Sequence, residues 1–338
     1  MKKITLSGSA FEVGQQLGEF GRAAWHNKLT KIALWQTVIA MKDAPQTLAM
    51  RAAVQTQFPL IWQEFEGMAA GLHAPIDEVF AWNCRGDLVR STSDGCTTVA
   101  GVSANGERVI AHNEDGFPQL REDCALVSIT PTDGLAFTSF AYPGSICGHT
   151  FAVNEKGLVN TVNNIRAVER PAGMPRQILA RAALNAHTLD EAIGILTAAS
   201  RAGAFHHTLG QLGDSRVFSV EATGTGCSVL PLAAVFGHAN HLIHQQLAPL
   251  EQVVTASSGS RQARLQDWQR TQAQLNAEDA LKILSDQHNA ELPIYRLSPH
   301  DPDEENTLAT AIFVLSNLQV SAQIFTENRD VAALKLTV

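Results

Sequence analysis

One cysteine of this sequence, Cys96, stands where a thiol can react with its own chain. It follows Asp94 and Gly95 and opens a run of strand-forming residues, CTTVAGVS. A glycine before a cysteine leaves the peptide carbonyl between them unhindered and gives the backbone freedom to twist. The thiol could then attack that carbonyl, and hydrolysis of the thioester would split the chain between Gly95 and Cys96.

Such a cleavage would give Cys96 two reactive groups. Its new α-amine would have a pKa near 8, far below the value of about 10.4 for a lysine. One residue would then provide both a thiol nucleophile and a general base that works near neutral pH. The alternative, an inert core thiol at the start of a strand, stays open on this pattern alone.

A hairpin signal follows Cys96 at the distance of one short strand. The pair Asn105-Gly106 is the strongest local sequence signal for a hairpin. Treated as a two-residue loop, it predicts that Asp115 lies directly opposite Cys96, with the two Cβ atoms about 5 Å apart. A carboxylate there could hold the α-ammonium group or orient a substrate.

The same register assigns the neighbouring polar residues to the two faces of the hairpin. It pairs Thr98 with Asn113 on the face of Cys96, so both are expected to support the site. It turns His112 to the opposite face, next to Val99, and His112 is therefore left out of the expected catalytic set.

The elements that must position these residues change in type near residue 91. Before it, helical periodicity dominates: one long apolar pattern over 13–39 ends at Ala44-Pro45, and further helices are predicted over 46–57, from Pro59 and from Pro75. After it, apolar stretches joined by tight turns predict antiparallel strands. Helical segments at 175–200 and around 278–287 interrupt them, and the polar stretch 250–275 is predicted as loop with a helix.

This separation of helices from strands predicts an α+β fold, in which antiparallel sheets are covered by helices. The proline-containing loops 170–175 and 292–303 connect predicted elements of the same fold, so we do not interpret them as domain boundaries. Residues 1–338 are therefore expected to form a single domain.

Composition excludes several classes of protein. The 338 residues are 45 % apolar and 17 % charged, which is sufficient for a large core. The net charge is −8 without a basic stripe, so no nucleic-acid partner is expected. No apolar run reaches about 18 residues and the first residues lack the apolar segment of a secretory signal. We therefore expect no membrane partner and a cytoplasmic location.

The metal-binding residue types show no metal pattern. The five cysteines are scattered without a CxxC pair, which indicates neither a zinc knuckle nor a disulfide scaffold. Among the histidines, His238 and His244 would share one face of a strand and His241 the other, while His206-His207 lies elsewhere. The sequence thus predicts no metal site, and it contains no phosphate loop or other cofactor motif.

Two segments, DGCTT at 94–98 and HNED at 112–115, carry a resemblance to a known family. They resemble the N-terminal-nucleophile hydrolases of the isopenicillin N acyltransferase type, which include carcinine hydrolase and relatives of β-alanyl-dopamine hydrolase. They are also similar to penicillin V acylase and bile salt hydrolase. Shorter similarities follow in order along the chain, at FEVG 11–14 with Gly18, NEKGL 154–158 with Asn163, and HANH 238–241.

The resemblance implies a four-layer αββα fold and self-cleavage into an α chain, 1–95, and a β chain, 96–338. It implies Cys96 as the nucleophile, Asp115 as its partner near the α-amine, and Asn163 and Asn240 lining the site. Asn240 would donate to the oxyanion, since one neutral amide donor can stabilise a tetrahedral intermediate by about 3 kcal/mol.

One departure from the relatives concerns specificity. The penicillin V acylase and bile salt hydrolase branch carries an arginine where this chain has His112, so their substrates are not expected here. We favour hydrolysis of the linear amide of a small N-acyl amine, with the two fragments of the chain staying associated; the number of subunits, a homo-oligomer included, stays open. The alternatives are an acyl-CoA-dependent N-acyltransferase and a non-enzymatic binding protein.

Overall fold

The helices begin at residues that favour a helix N-terminus. Ser9 accepts a hydrogen bond from the N–H of Glu12, whose carboxylate accepts one from the N–H of Ser9, and this pair is a capping box. Pro45 and Pro59 begin two further helices, where the missing N–H is not needed. The computed structural model describes residues 1–90, 95–198 and 200–338. The α-helices in these ranges are α1 (Ala10–Asn27), α2 (Ala33–Ile39), α3 (Pro45–Gln57), α4 (Pro59–Leu72), α5 (Ile76–Asn83), α6 (Arg85–Leu88), α7 (Arg176–Ala183), α8 (Leu189–Leu196), α9 (Ala256–Thr271) and α10 (Ala277–Leu284).

Most of these helices were predicted from the sequence. The single long pattern over 13–39 is divided into α1 and α2 by a short 3₁₀ turn, Leu29–Lys31. The predicted helices over 46–57, from Pro59 and from Pro75 are α3, α4 and α5. In the described chain, no helix combines the length and the apolar character of a membrane span.

The strands form two sheets that are antiparallel apart from one pair. They are β1 (Lys2–Gly8), β2 (Cys96–Val102), β3 (Arg108–Gly116), β4 (Ala125–Pro131), β5 (Phe137–Ala141), β6 (Phe151–Asn154), β7 (Leu158–Ile165), β8 (Ala204–Gln211), β9 (Val217–Ala222), β10 (Cys227–Pro231), β11 (Phe236–His238), β12 (Asn306–Leu315), β13 (Val320–Phe325) and β14 (Leu334–Thr337). The eight-stranded sheet has the order β1-β4-β5-β6-β7-β8-β9-β10, with β1 and β4 parallel. The six-stranded sheet has the order β11-β2-β3-β12-β13-β14.

The two sheets pack face to face, and helices cover both outer faces. Strands β2 and β3 of the six-stranded sheet contact β7 and β8 of the eight-stranded sheet. Helices α1 and α8 lie against the eight-stranded sheet, and α9 and α10 lie against the six-stranded sheet. Helix α7 packs on the eight-stranded sheet through Ala180, which contacts Val162 and Phe205. Val99, Ala111 and Ile312 pack with Leu265 and Ile283 to form the apolar layer under α9 and α10. This arrangement confirms the predicted α+β fold with four αββα layers.

The β2–β3 hairpin differs from its predicted register by one residue. Its loop has three residues, 104–106, because the N–H of Ser103 donates to the carbonyl of Glu107 at 2.8 Å. Gly106 takes a positive φ of 84°, as the last residue of such a loop requires. The Ser103 hydroxyl also accepts from the Glu107 N–H at 3.1 Å and so stabilises the longer loop.

This shift changes which side chains share a face. Cys96 pairs with Glu114 and Thr98 pairs with His112. The predictions that Asp115 lies opposite Cys96, that Thr98 pairs with Asn113, and that His112 faces away are therefore wrong. In a strand, a shift of one residue moves every side chain to the other face.

Glycines let α1 and α4 pack with their backbones in contact. A Cβ atom on Gly67 of α4 would overlap the backbone carbonyl of Phe11 in α1, and one on Gly14 would overlap the carbonyl of Glu64. Both obstacles are backbone atoms, so neither can move aside alone. The close approach of these helices therefore depends on the absence of side chains at these positions.

We expect Gly67→Ala to lower the free energy of unfolding by about 2–3 kcal/mol, because the added methyl group overpacks this contact. Gly194→Ala in α8 is the matched control, since a Cβ there meets no atom within 4 Å and alanine favours a helix over glycine by about 1 kcal/mol. Urea denaturation of both variants measures the difference. Equal stability of the two variants would contradict close packing of α1 on α4.

Candidate active site

Cys96 is the first residue of β2 and lies between the two sheets with 3 % of its surface exposed. Its backbone N–H donates to Oδ1 of Asn240 at 3.0 Å. Arg261 of α9 donates to the same Oδ1 at 2.7 Å and to the carbonyl oxygen of Cys96 at 2.5 Å. The polypeptide is thus held on both sides of the Cys96 Cα by buried polar groups.

Asn240 reaches this position from the loop after β11. Its own N–H donates to the hydroxyl of Ser258 in α9 at 3.0 Å, and its side-chain NH₂ donates to the carbonyl of Asn164 at 3.0 Å. The side chain of Asn240 therefore contacts the backbone of Cys96 through its oxygen, while its donor group is directed to β7.

Gly95 lies in a closely packed place between β3 and the side chains of Glu305 and Arg296. Its carbonyl oxygen accepts a hydrogen bond from the backbone N–H of Asp115 at 3.0 Å. A Cβ on Gly95 would overlap the carboxylate of Glu305 and would lie 2.7 Å from Nη1 of Arg296. The predicted cleavage peptide is thus fixed at its carbonyl by Asp115 and at its nitrogen by Asn240. Asp94, which precedes it in the predicted motif, lies outside the described residues.

The acid–base groups beside the thiol are Glu114 and His112. Oε2 of Glu114 lies 3.8 Å from the Cys96 sulfur and 3.1 Å from Nε2 of His112. The other oxygen of Glu114 accepts from the hydroxyl of Tyr142 at 2.9 Å. Because all these groups are buried, their interactions are only weakly screened by water.

Hydrogen-bond partners fix the tautomer of His112. The amide NH₂ of Asn163 donates to the carbonyl of His238, so Oδ1 of Asn163 faces Thr98 and accepts its hydroxyl proton at 2.7 Å. The Thr98 oxygen must then accept from Nδ1–H of His112, 2.8 Å away. Burial lowers the pKa of His112 to about 3, so the ring is neutral and its Nε2 directs a lone pair toward Oε2 of Glu114.

Asp115 lies on the opposite face of β3, toward α9. Its Oδ1 accepts from the hydroxyl of Thr307 at 2.7 Å, and its Oδ2 lies 3.6 Å from Nη1 of Arg296. Burial raises the pKa of the Asp115 carboxyl, while the charges of Arg296 and Arg261 oppose that rise. The carboxylate of Asp115 therefore faces Thr307 and Arg296, and the contact of Asp115 with Gly95 is made by its backbone N–H.

The remaining predicted supporting residues divide between the two faces. Thr98 and Asn163 lie on the inner face with the thiol and connect it to β7. Asn113 lies on the outer face, where its NH₂ donates to the carbonyls of Leu284 and Ile294. It holds the segment around α10 and contacts no group on the thiol side through these bonds.

Four residues at or beneath this candidate site were not in the predicted set: Glu114, His112, Arg261 and Arg296. Glu114 and His112 were visible in the HNED segment, and a three-residue loop at 104–106 would have placed both beside Cys96. The two arginines carry no local signal, because each reaches the site from a distant segment. Among the described residues, Cys96, His112 and Glu114 are the group whose donor atoms, all within 4.8 Å of one another, could hold a metal ion.

The histidines considered above as metal ligands are hydrogen-bonded, and all but His241 are buried. His206 stacks on His238 with ring centroids 3.6 Å apart, and Nε2 of His238 lies 3.0 Å from the carboxylate of Glu221. Ser219 lies between His206 and His244, at 2.9 and 2.8 Å. Parallel stacked rings do not direct their nitrogens to one point, so this cluster is a hydrogen-bond network.

A narrow pocket opens beside the thiol. It has about 10 Å³ of free space, close to what a single water molecule needs. A substrate therefore requires side chains of the lining to move. The lining consists of Arg85, Gly86, Cys96, Glu114, His149, Asn164, Arg176, Gln177 and Phe205.

We expect Arg296→Gln to lower the free energy of unfolding by about 3–5 kcal/mol, because buried carboxylates around it would lose their cation. Arg296 donates to Asp301 and to Glu305 and is 1 % exposed. Arg216→Gln is the control, since its pair with Asp214 is exposed and is expected to contribute less than about 1 kcal/mol. Denaturant unfolding measures both; a loss at Arg296 no larger than at Arg216 would show that the buried cluster does not stabilise the fold.

Comparison with known proteins agrees with this fold. The family model described as acyl-coenzyme A:6-aminopenicillanic acid acyl-transferase matches residues 102–329, which is more than half of the chain. The match includes Glu114, Asp115, Asn163 and Asn240 and begins just after Cys96. The comparison with curated proteins gave no match. With two facing sheets, helices on both sides and this match, the chain belongs to the acyl-coenzyme A:6-aminopenicillanic acid acyl-transferase family, whose fold is that of the N-terminal-nucleophile hydrolases.

Proposed function

We propose that the protein is a self-cleaving amidohydrolase that acts on the linear amide of a small N-acyl amine through a thioester on Cys96. The observation that carries this proposal is the held peptide between Gly95 and Cys96. Its carbonyl oxygen receives the N–H of Asp115 and its nitrogen donates to Asn240, with the thiol beside a carboxyl group. An inert core cysteine would also need partners for its backbone groups, but it would not need a carboxyl group and an imidazole beside its sulfur.

Self-cleavage needs a proton acceptor other than the α-amine, because the nitrogen of Cys96 is an amide before the cut. The pair Glu114–His112 lies beside the thiol and is placed to accept its proton. The sulfur bonds to the carbonyl carbon of Gly95, and the N–H of Asp115 stabilises the negative charge that develops on the oxygen. The carbon–nitrogen bond then breaks as the nitrogen takes a proton, and water hydrolyses the thioester.

After cleavage, Cys96 carries a free α-amine that can act as the base for turnover. Asn240 already accepts from this nitrogen, so it would hold the amine in place. For Asn240 to donate to the oxyanion as well, its NH₂ must leave the carbonyl of Asn164. Asp115 stays our predicted partner of the amine, although its carboxylate lies on the outer face against Thr307 and Arg296 and its bond to Gly95 is made by the backbone N–H.

The second candidate function is acyl transfer, which the family name supports. The same thioester would pass its acyl group to an amine, or receive it from acyl-CoA, if water is kept out. We favour hydrolysis because no cluster of lysines and arginines in the sequence suggests a site for the phosphates of CoA. The single domain, the cytoplasmic location and the absence of a cofactor stay predictions.

We expect denaturing mass spectrometry of the purified protein to show two fragments of about 10 and 27 kDa, at ~110 Da per residue. Cys96→Ala should give one intact chain without turnover, and Gly95→Ala should also stay intact, because its methyl group overlaps Glu305. Cys227→Ala, which changes a partly exposed thiol, should cleave normally. Turnover of amides by a wild-type chain that stays intact would reject self-cleavage.

We expect the cleaved enzyme to release free acid from small N-acyl amines at a rate that does not depend on acyl-CoA. The measurement follows free acid and new N-acyl product while an acceptor amine is raised. Cys96→Ala serves as the background for both products. If the amine product replaces the acid at low amine concentration, the enzyme is a transferase and the hydrolase assignment is wrong.

A further inference from the structure

Three different metal-binding groups meet at the thiol, although the sequence predicted no metal site. The sulfur of Cys96, Nε2 of His112 and Oε2 of Glu114 all lie within 4.8 Å of one another and are buried. A thiolate, an imidazole and a carboxylate are the ligands that zinc prefers. Three protein ligands and one open position are typical of zinc sites that exchange the fourth ligand.

The spacing of these atoms suits a tetrahedral ion. Zinc binds sulfur at about 2.3 Å and nitrogen or oxygen at about 2.0–2.2 Å, so its ligands lie about 3.4–3.6 Å from one another. Here the nitrogen and the oxygen are 3.1 Å apart, and the sulfur and the oxygen are 3.8 Å apart. These two distances are within about half an ångström of the tetrahedral value, and the sulfur and the nitrogen lie within 4.8 Å of each other.

The surrounding hydrogen bonds already orient the ligands. A metal-bound histidine normally donates its second ring N–H to a fixed polar partner, and Nδ1–H of His112 donates to Thr98, which Asn163 holds in turn. The lone pair of Nε2 therefore points to Glu114. The second carboxylate oxygen of Glu114 accepts from Tyr142, and Oε2 is the oxygen that faces His112 and Cys96.

The pocket supplies the open position. Cys96 and Glu114 both line it, and its free space of about 10 Å³ is near the size of one water molecule. An ion bound between the three side chains would therefore have room for one small fourth ligand on the pocket side. Binding of the ion would displace the proton of the Cys96 thiol.

We propose that Cys96, His112 and Glu114 form a zinc site that captures the nucleophile and holds it inactive. Zinc binding itself does not depend on the function proposed above. The inhibition that follows does rest on it, because a sulfur bound to zinc cannot attack an amide carbonyl. Removal of the ion by a chelator would release the thiolate beside the same acid–base pair.

The binding test uses Co²⁺ as a spectroscopic probe on the chelator-treated full-length protein. A cobalt–thiolate bond gives a near-ultraviolet charge-transfer band, which we expect to saturate at one ion per chain and to disappear when Zn²⁺ is added. The band should be lost in Cys96→Ser, and Glu114→Gln should weaken cobalt binding at least tenfold. Cys227→Ser, the matched thiol control on β10, should leave the band unchanged.

Circular dichroism of each variant separates loss of a ligand from loss of the fold. A folded Cys96→Ser that keeps the band, a folded Glu114→Gln that binds cobalt as tightly as the wild type, or a Cys227→Ser that loses the band would overturn the site. So would a wild-type chain that shows no band at excess Co²⁺. Alkylation of the thiol, followed by mass spectrometry, gives a second readout: Zn²⁺ should protect Cys96 in the wild type and leave Cys227 reactive.

The inhibition arm is measured separately on the cleaved enzyme. Zn²⁺ should abolish amide turnover, and a chelator should restore it. If cobalt binds as described but no amide is turned over under any condition, the proposed function fails and the metal site stands. If turnover is observed and Zn²⁺ at saturation leaves it unchanged, the metal site fails and the function stands.

Discussion

A single peptide bond, held at both ends inside the protein, is the constraint on which this structure depends. The carbonyl of Gly95 receives a backbone N–H from β3, and the nitrogen of Cys96 donates to Asn240 from the loop after β11. Arg261 then joins the Cys96 carbonyl to Asn240 and so brings α9 into the same unit. Burying these groups without partners would cost about 1–3 kcal/mol each, so the strands and helix that supply the partners must come together.

The two faces of the β2–β3 hairpin perform different tasks. The inner face carries the thiol with His112 and Glu114, which can hold, accept or exchange a proton. The outer face carries Asp115, whose carboxylate forms an ion pair with Arg296 and so connects β3 to the segment that contains Arg296. A strand alternates its side chains, so one short segment, HNED, supplies both faces.

The position of the thiol has two consequences that follow from the same neighbours. A buried carboxyl group and an imidazole beside a sulfur can receive its proton, and they can also join it in binding a soft divalent ion. The hydrogen bonds of Thr98 and Tyr142 hold the pair in one arrangement for either purpose. Reactivity and metal affinity at Cys96 are therefore expected to change together when this inner face is altered.

The sequence by itself determined the types and approximate limits of most elements, because proline, capping residues and apolar periodicity act locally. It also singled out Gly95 and Cys96, through the chemistry of a thiol after a glycine. It could not decide between a two-residue and a three-residue loop at Asn105-Gly106, and that choice moves every side chain of β3 to the other face. Only the tertiary structure placed Glu114 beside the thiol, through the register of the β2–β3 hairpin, and Arg261 at the carbonyl of Cys96, through a hydrogen bond from the distant helix α9.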